Sequence, residues 1–151
     1  MKPPSTDRSI LKALLLLFIG VLLPGCGSRY LKDYPPRTLQ EEEITKALTA
    51  FETAWNTHNE QTLLALLDHD FILWVWSGGN RRIVFRKGTF SFKLRDIFIR
   101  WRYLSLGSPG VSIKENEATA SMSLSVDGRS YYSTFRLIRK EGKWLFLEWE
   151  F

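Results

Sequence analysis

Cysteine is almost absent: the 151 residues contain one, Cys26. No disulfide can form within the chain, so stability has to come from a packed core. Histidine is nearly as scarce, with only His58 and His69. The sequence has no Gly-x-Ser-x-Gly, no phosphate-binding loop and no histidine-pair metal motif. No apolar run reaches the roughly 20 residues that a membrane-crossing helix needs. Internal repeats and low-complexity tracts are missing beyond residue 26. These absences remove the common signatures of hydrolases, nucleotide-binding enzymes and histidine-ligated metalloenzymes, and they imply neither cofactor nor metal.

What is there begins at the amino terminus. Residues 1–12 carry Lys2, Arg8 and Lys12 against Asp7, and an apolar run of 11 residues follows, from Ala13 to Leu23. A basic segment before a short apolar run is the pattern of a secretory signal. Leu23-Pro24-Gly25-Cys26 then resembles the lipobox of bacterial lipoproteins. Leu23 takes the aliphatic position, Gly25 the small one and Cys26 that of the acylated cysteine, while Pro24 stands where a small or hydroxylated residue is usual. The resemblance implies cleavage before Cys26 and a domain outside the cytoplasm, anchored in the cell envelope through lipid on Cys26. An aspartate after the cysteine would favour the inner membrane. Gly27 occupies that position, so the outer membrane is implied where the cell has one.

Removing residues 1–25 leaves 126 residues, enough for one domain with a real core. The formal charge falls from +5 to +3, because the signal carries three bases and one acid. That balance does not point to nucleic acid. Gly27 to Arg37, with its small residues, charges and Pro35-Pro36, reads as an extended tether. The predicted organisation is a signal over 1–25, a lipidated tether over 26–37 and a domain over 38–151.

Within that domain Thr38 and Glu41 have the spacing of a capping box. Ile44, Ala47, Leu48, Phe51 and Trp55 then recur at helical steps, which predicts a helix over 39–58. Asn59 caps a second, shorter helix through Leu63–Leu67, and Asp68 to Asp70 end it. Phe71 to Trp76 reads as a buried strand, Ser77–Asn80 as a turn and Arg81–Arg86 as a hairpin partner. Residues 89–101 fit a helix better than the alternating strand they also resemble. Ala118, Ala120, Met122, Leu124 and Val126 alternate with hydroxyl residues, Asp127-Gly128 turns the chain, and Arg129–Lys140 and Lys143–Phe151 complete a meander. Phe51, Trp55, Leu63, Leu67, Met122, Leu124 and Leu137 are the predicted core. Helices followed by antiparallel strands make an α+β domain.

The stretch Ala50-Phe51-Glu52-Thr53-Ala54-Trp55-Asn56-Thr57-His58-Asn59 carries a resemblance, supported by Leu63–Leu67, Asp70-Phe71, Asn116-Glu117-Ala118 and Gly142-Lys143-Trp144. From Thr38 to Phe151 the chain resembles the nuclear transport factor 2-like superfamily. Asn59 stands where many members have aspartate. The resemblance implies a cone in which N-terminal helices pack on a curved antiparallel sheet. The superfamily includes isomerases, dehydratases and transport adaptors, so fold does not choose among activities.

Chemistry of the ketosteroid isomerase type needs a pocket carboxylate and hydrogen-bond donors at a developing oxyanion. His58, Tyr103 and Glu148 are the candidate pocket residues. His58 ends the first helix, where a polar group meets the helix's negative end. On the last strand Trp144, Phe146, Glu148 and Glu150 share one face, and Leu145, Leu147, Trp149 and Phe151 the other. If the first face lines the cone, Glu148 is a buried candidate base; if the second does, the glutamates are solvated. Asp68-His69-Asp70 reads as a solvated turn, since three consecutive side chains cannot all point at one ion.

Between Arg81 and Arg102 stand eight bases and one acid, Asp96, interleaved with aromatic residues. Arg81, Arg82, Arg86 and Lys87 form the candidate basic surface. Export favours anionic lipid or an acidic protein over nucleic acid as what such a surface would meet. The competing reading is a solvated basic face over an aromatic core. The residue set favours a non-catalytic domain that binds a protein partner or a small apolar ligand over a lipid-anchored isomerase or dehydratase.

Overall fold

The computed structural model describes residues 30–77 and 79–151, apart from the side chains of Ser77, Arg81 and Ile83. The signal and Cys26 lie outside the described residues.

A 3-10 turn at Leu31–Asp33 precedes helix α1, Leu39–Asn56. Thr38 caps the helix, its Oγ1 accepting from the Glu41 N–H at 3.1 Å. Glu41 returns the bond one residue early: its carboxylate accepts from the Arg37 N–H at 2.7 Å and from the Tyr34 hydroxyl at 3.1 Å. Burial and this carboxylate together raise the Tyr34 pKa. The segment expected as a free tether is thus partly docked. Leu31 is 1% exposed, in the core cluster.

One stripe of α1 is buried: Ile44, Leu48, Phe51, Ala54 and Trp55. The helix ends at a Schellman-type cap. His58 takes the left-handed position, φ 52°, its N–H bonds to Trp55 O, and the Asn59 N–H bonds to Ala54 O. Glycine usually fills that position, and histidine is among the residues enriched there. Asn59 then caps helix α2, Glu60–Leu66, through Oδ1 and the Thr62 N–H.

Seven strands follow around one further helix: β1 Leu67–Ser77, β2 Asn80–Arg86, α3 Lys87–Arg100, β3 Leu104–Leu106, β4 Gly110–Lys114, β5 Glu117–Val126, β6 Arg129–Lys140 and β7 Lys143–Glu150. Residues 89–101 are therefore helical nearly to their end. The sheet runs β2-β1-β7-β6-β5-β3, with β4 also pairing on β5. It is curved and unclosed, with the three helices packed on it, an α+β cone as expected. All pairs are antiparallel except β1 with β7, which is parallel. The predicted core residues are all buried.

Simple alternation fails on β7. Arg136 lies opposite Glu148 and Leu137 opposite Phe146, so Leu147 is an extra residue. This bulge flips the faces midway. Trp144, Phe146 and Trp149 all turn inward, and neither of the two faces read from the sequence is the core face.

Candidate functional site

Among the described residues, the space between α1 and the sheet is packed with rings. The Phe51 ring centroid lies 4.8 Å from Phe146, 5.3 Å from Phe135 and 5.5 Å from Trp149. Trp55 lies 5.5 Å from Trp149 and 5.4 Å from Phe98. Such distances are those of aromatic contact, and they leave no room for another molecule between the rings. The polar atoms in this cluster are satisfied internally. Trp149 Nε1 donates to Ser133 Oγ at 2.9 Å, Ser133 donates to Glu150 O at 3.1 Å, and Trp55 Nε1 donates to Trp101 O at 3.0 Å. Next to this cluster, Phe151 sits 5.2 Å from Trp149, 5.4 Å from Trp101 and 6.1 Å from Tyr131.

The sequence candidates do not converge. His58 is exposed on the outside of the helical layer, its ring stacked on Phe98 at 4.9 Å. Tyr103 is 69% exposed beyond the end of α3. Glu148 lies on the far face of the sheet, accepting from Arg136 Nη1 at 2.9 Å. Of the basic candidates, Arg82 and Arg86 are exposed. Lys87 folds back to donate to Leu67 O at 2.6 Å. The Arg81 side chain lies outside the described ones.

Asp68, His69 and Asp70 belong to β1 and not to a turn. Between Leu67 and Ile72 the β1 register slips against β7, and this irregular stretch gathers the side chains. Their ligand atoms come within 4.8 Å of one another, closer than consecutive positions on a regular strand allow. His69 Nδ1 lies 3.1 Å from Asp68 Oδ1, and Nε2 lies 2.9 Å from Asp70 Oδ2. Asp68 is buried and also receives Lys140 Nζ at 2.7 Å and the Asp70 N–H at 3.1 Å. Burial pushes its pKa up, but these two donors outweigh burial and hold the carboxyl below its ordinary value. A cation here would have to displace the lysine.

Two polar residues whose role sequence reasoning did not identify govern the other sheet edge. Glu52 and Asn56, one turn apart on α1, bond the backbone of β3. Their four-residue spacing beside Trp55 was the available signal. Asp127, the first turn residue after β5, accepts from the N–H groups of Arg102 and Tyr103. It thereby ties the end of α3 to the β5–β6 hairpin.

Architecture and strand order together define the nuclear transport factor 2-like cone fold. Solved structures share it. A nuclear transport factor 2-like protein from Cytophaga hutchinsonii aligns with a TM-score of 0.64 at 15% identity, over 75% of this chain and 97% of its own. One of unknown function from Shewanella baltica gives 0.60 at 13%, over 75% and 94%. A Nostoc punctiforme protein of unknown function, described as having a cystatin-like fold, gives 0.62 at 18%, over 75% and 90%. At these identities the likeness concerns the fold alone. No protein-family model and no curated protein matches the sequence.

Proposed function

We propose that this is an envelope lipoprotein, held to a membrane by lipid on Cys26, whose cone domain works by surface contact with a partner and not by turning over a substrate. The observation that carries the reading is the ring packing of the core: among the described residues Phe51, Trp55, Phe135, Phe146 and Trp149 fill the space between α1 and the sheet with contacts to one another. The dispersal of His58, Tyr103 and Glu148 over three separate surfaces supports it. The sequence before Cys26 supports the anchor, and Gly27 after it supports the outer membrane as its place. Among the described residues no helix is long and apolar enough to cross a membrane.

Two experiments test the two halves. Growth with a fatty-acid analogue labels the wild type and not Cys26→Ser; equal labelling of both removes the anchor. Titration with an apolar fluorophore gives no saturable binding to the wild type, whereas Phe135→Ala opens a cavity and binds. Saturable one-to-one binding by the wild type overturns the filled-cone half.

A further inference from the structure

Helix α3 carries two apolar stripes, and only one is buried. At 3.6 residues per turn, successive residues step about 100° around the axis. Phe90, Leu94, Ile97 and Phe98 fall on the side packed into the core. Phe92 and Ile99, two turns apart, fall together on the opposite side and are 81% and 70% exposed. Bases stand on both sides of this second stripe: Arg95 on one, with Arg102 beside it just past the helix end, and Lys93 and Arg100 on the other, beyond the intervening Asp96; all four bases are exposed. Asp96, the one acid of the helix, lies 3.9 Å from Lys93. The arginine border opens on a hollow of about 360 Å³ walled also by His58, Glu60, Phe98 and Ile99, where Arg95 Nε meets Glu60 at 3.2 Å.

We infer that this face of α3 lies on an anionic bilayer, with Phe92 and Ile99 at the boundary between headgroups and acyl chains and the flanking bases against lipid phosphates. The inference rests on the reading of the chain as lipid-anchored and gives that anchored domain an orientation. An apolar strip between basic borders is the pattern of an interfacial helix, since each half meets its own chemistry at one depth. Chain length supports the membrane over an acidic protein. Leu31 is docked against α1, and Trp55 of α1 touches Phe98 of α3, so the tether leaves from the same helical layer. Four residues separate Cys26 from Leu31, five Cα–Cα steps with a reach of about 17 Å at most. The domain is thus held near the surface, where each base is worth roughly fivefold in partitioning and the attraction fades over about 8 Å at physiological salt.

The test uses full-length acylated protein on vesicles of phosphatidylcholine, with or without phosphatidylglycerol. With Cys26 acylated, an introduced cysteine is the sole free thiol. Ile99→Cys on α3 and Tyr132→Cys on the far sheet face each receive an environment-sensitive fluorophore. Lipids brominated in their acyl chains should quench the probe at 99 on anionic vesicles and not on neutral ones, and leave the probe at 132 untouched. Adding Arg95→Glu with Arg102→Glu should lower that quenching at least fivefold. A probe at 99 that stays in water on anionic vesicles, or that responds only to an acidic polypeptide, overturns the inference. Flotation reads the anchor separately: protein that floats with neutral vesicles while position 99 stays wet keeps the anchor and loses the orientation. Protein that floats with anionic vesicles alone, with position 99 quenched, keeps the α3 face and loses the anchor.

Discussion

Asn56 on α1 and Leu104 on β3 pair as two strands would. The Leu104 N–H donates to Asn56 Oδ1 at 2.8 Å, and Asn56 Nδ2 donates to Leu104 O at 2.8 Å. One turn earlier Glu52 accepts from the Leu106 N–H at 2.9 Å. The helix therefore finishes an edge that would otherwise present open backbone groups. Asn56→Ala strands a buried N–H and C=O together and should cost about 2–3 kcal/mol. Glu52→Gln keeps its acceptor and should cost little. Urea midpoints check both, and an unchanged midpoint for Asn56→Ala would show that water replaces the amide there.

The ring cluster sets the core's sensitivity. Phe51→Ala should lose about 3–5 kcal/mol and Leu124→Ala about 2–5 kcal/mol, since both are fully buried. Leu39→Ala, exposed on the first turn of α1, should stay within about 0.5 kcal/mol. Thermal unfolding of the three variants ranks them, and equal stabilities would refute the face assignments.

Asp68 gives the stability a pH dependence of known sign. Its folded pKa lies below the unfolded value of about 3.9, so its contribution is complete above that pH. It is lost as pH falls through the folded pKa. The stability gap between wild type and Asp68→Asn should narrow over that acid window. Lys140→Met leaves a buried carboxylate without its cation and should cost about 1.5–3 kcal/mol at neutral pH. That cost should shrink on acidification, when Asp68 takes a proton. A gap that widens in acid would reverse the assignment.

Leu31 ties the segment before α1 to the core. Leu31→Ser exposes a site in the core and should release residues 31–37 to proteolysis before the rest of the fold unfolds. Limited digestion of wild type and variant decides this, and identical cleavage patterns would mean that the turn is held by Tyr34 and Glu41 alone.

The sequence made the helices legible, because caps and apolar periodicity are local. Thr38, Asn59 and the Ile44-to-Trp55 stripe carry them. The β5–β6 and β6–β7 hairpins were equally legible from Asp127-Gly128 and Glu141-Gly142, whose positive φ angles suit those turns. What stayed hidden is non-local. The inward turn of Trp149 depends on Leu147 having no partner on β6, and the gathering of Asp68, His69 and Asp70 depends on a register slip against β7. Burial of Leu31 needs α1 in place beneath it. The candidate pocket failed to assemble for a more local reason: His58 reads as polar at a helix end, but its left-handed backbone is a cap that turns the ring onto Phe98.

The parallel pairing of β1 with β7 has a consequence for biogenesis. The last of the seven strands in chain order, β7 is inserted between β1 and β6, at the middle of the sheet. Until residues 143–150 arrive, the β1–β2 hairpin and the β5–β6 meander share no edge, and the rings of Phe146 and Trp149 are missing from the centre. Distant pairing of this kind slows folding, because the loop must close before any contact repays it. A nascent chain with this strand order cannot close its sheet until β7 has been made, so the open state outlasts the synthesis of the six strands before it.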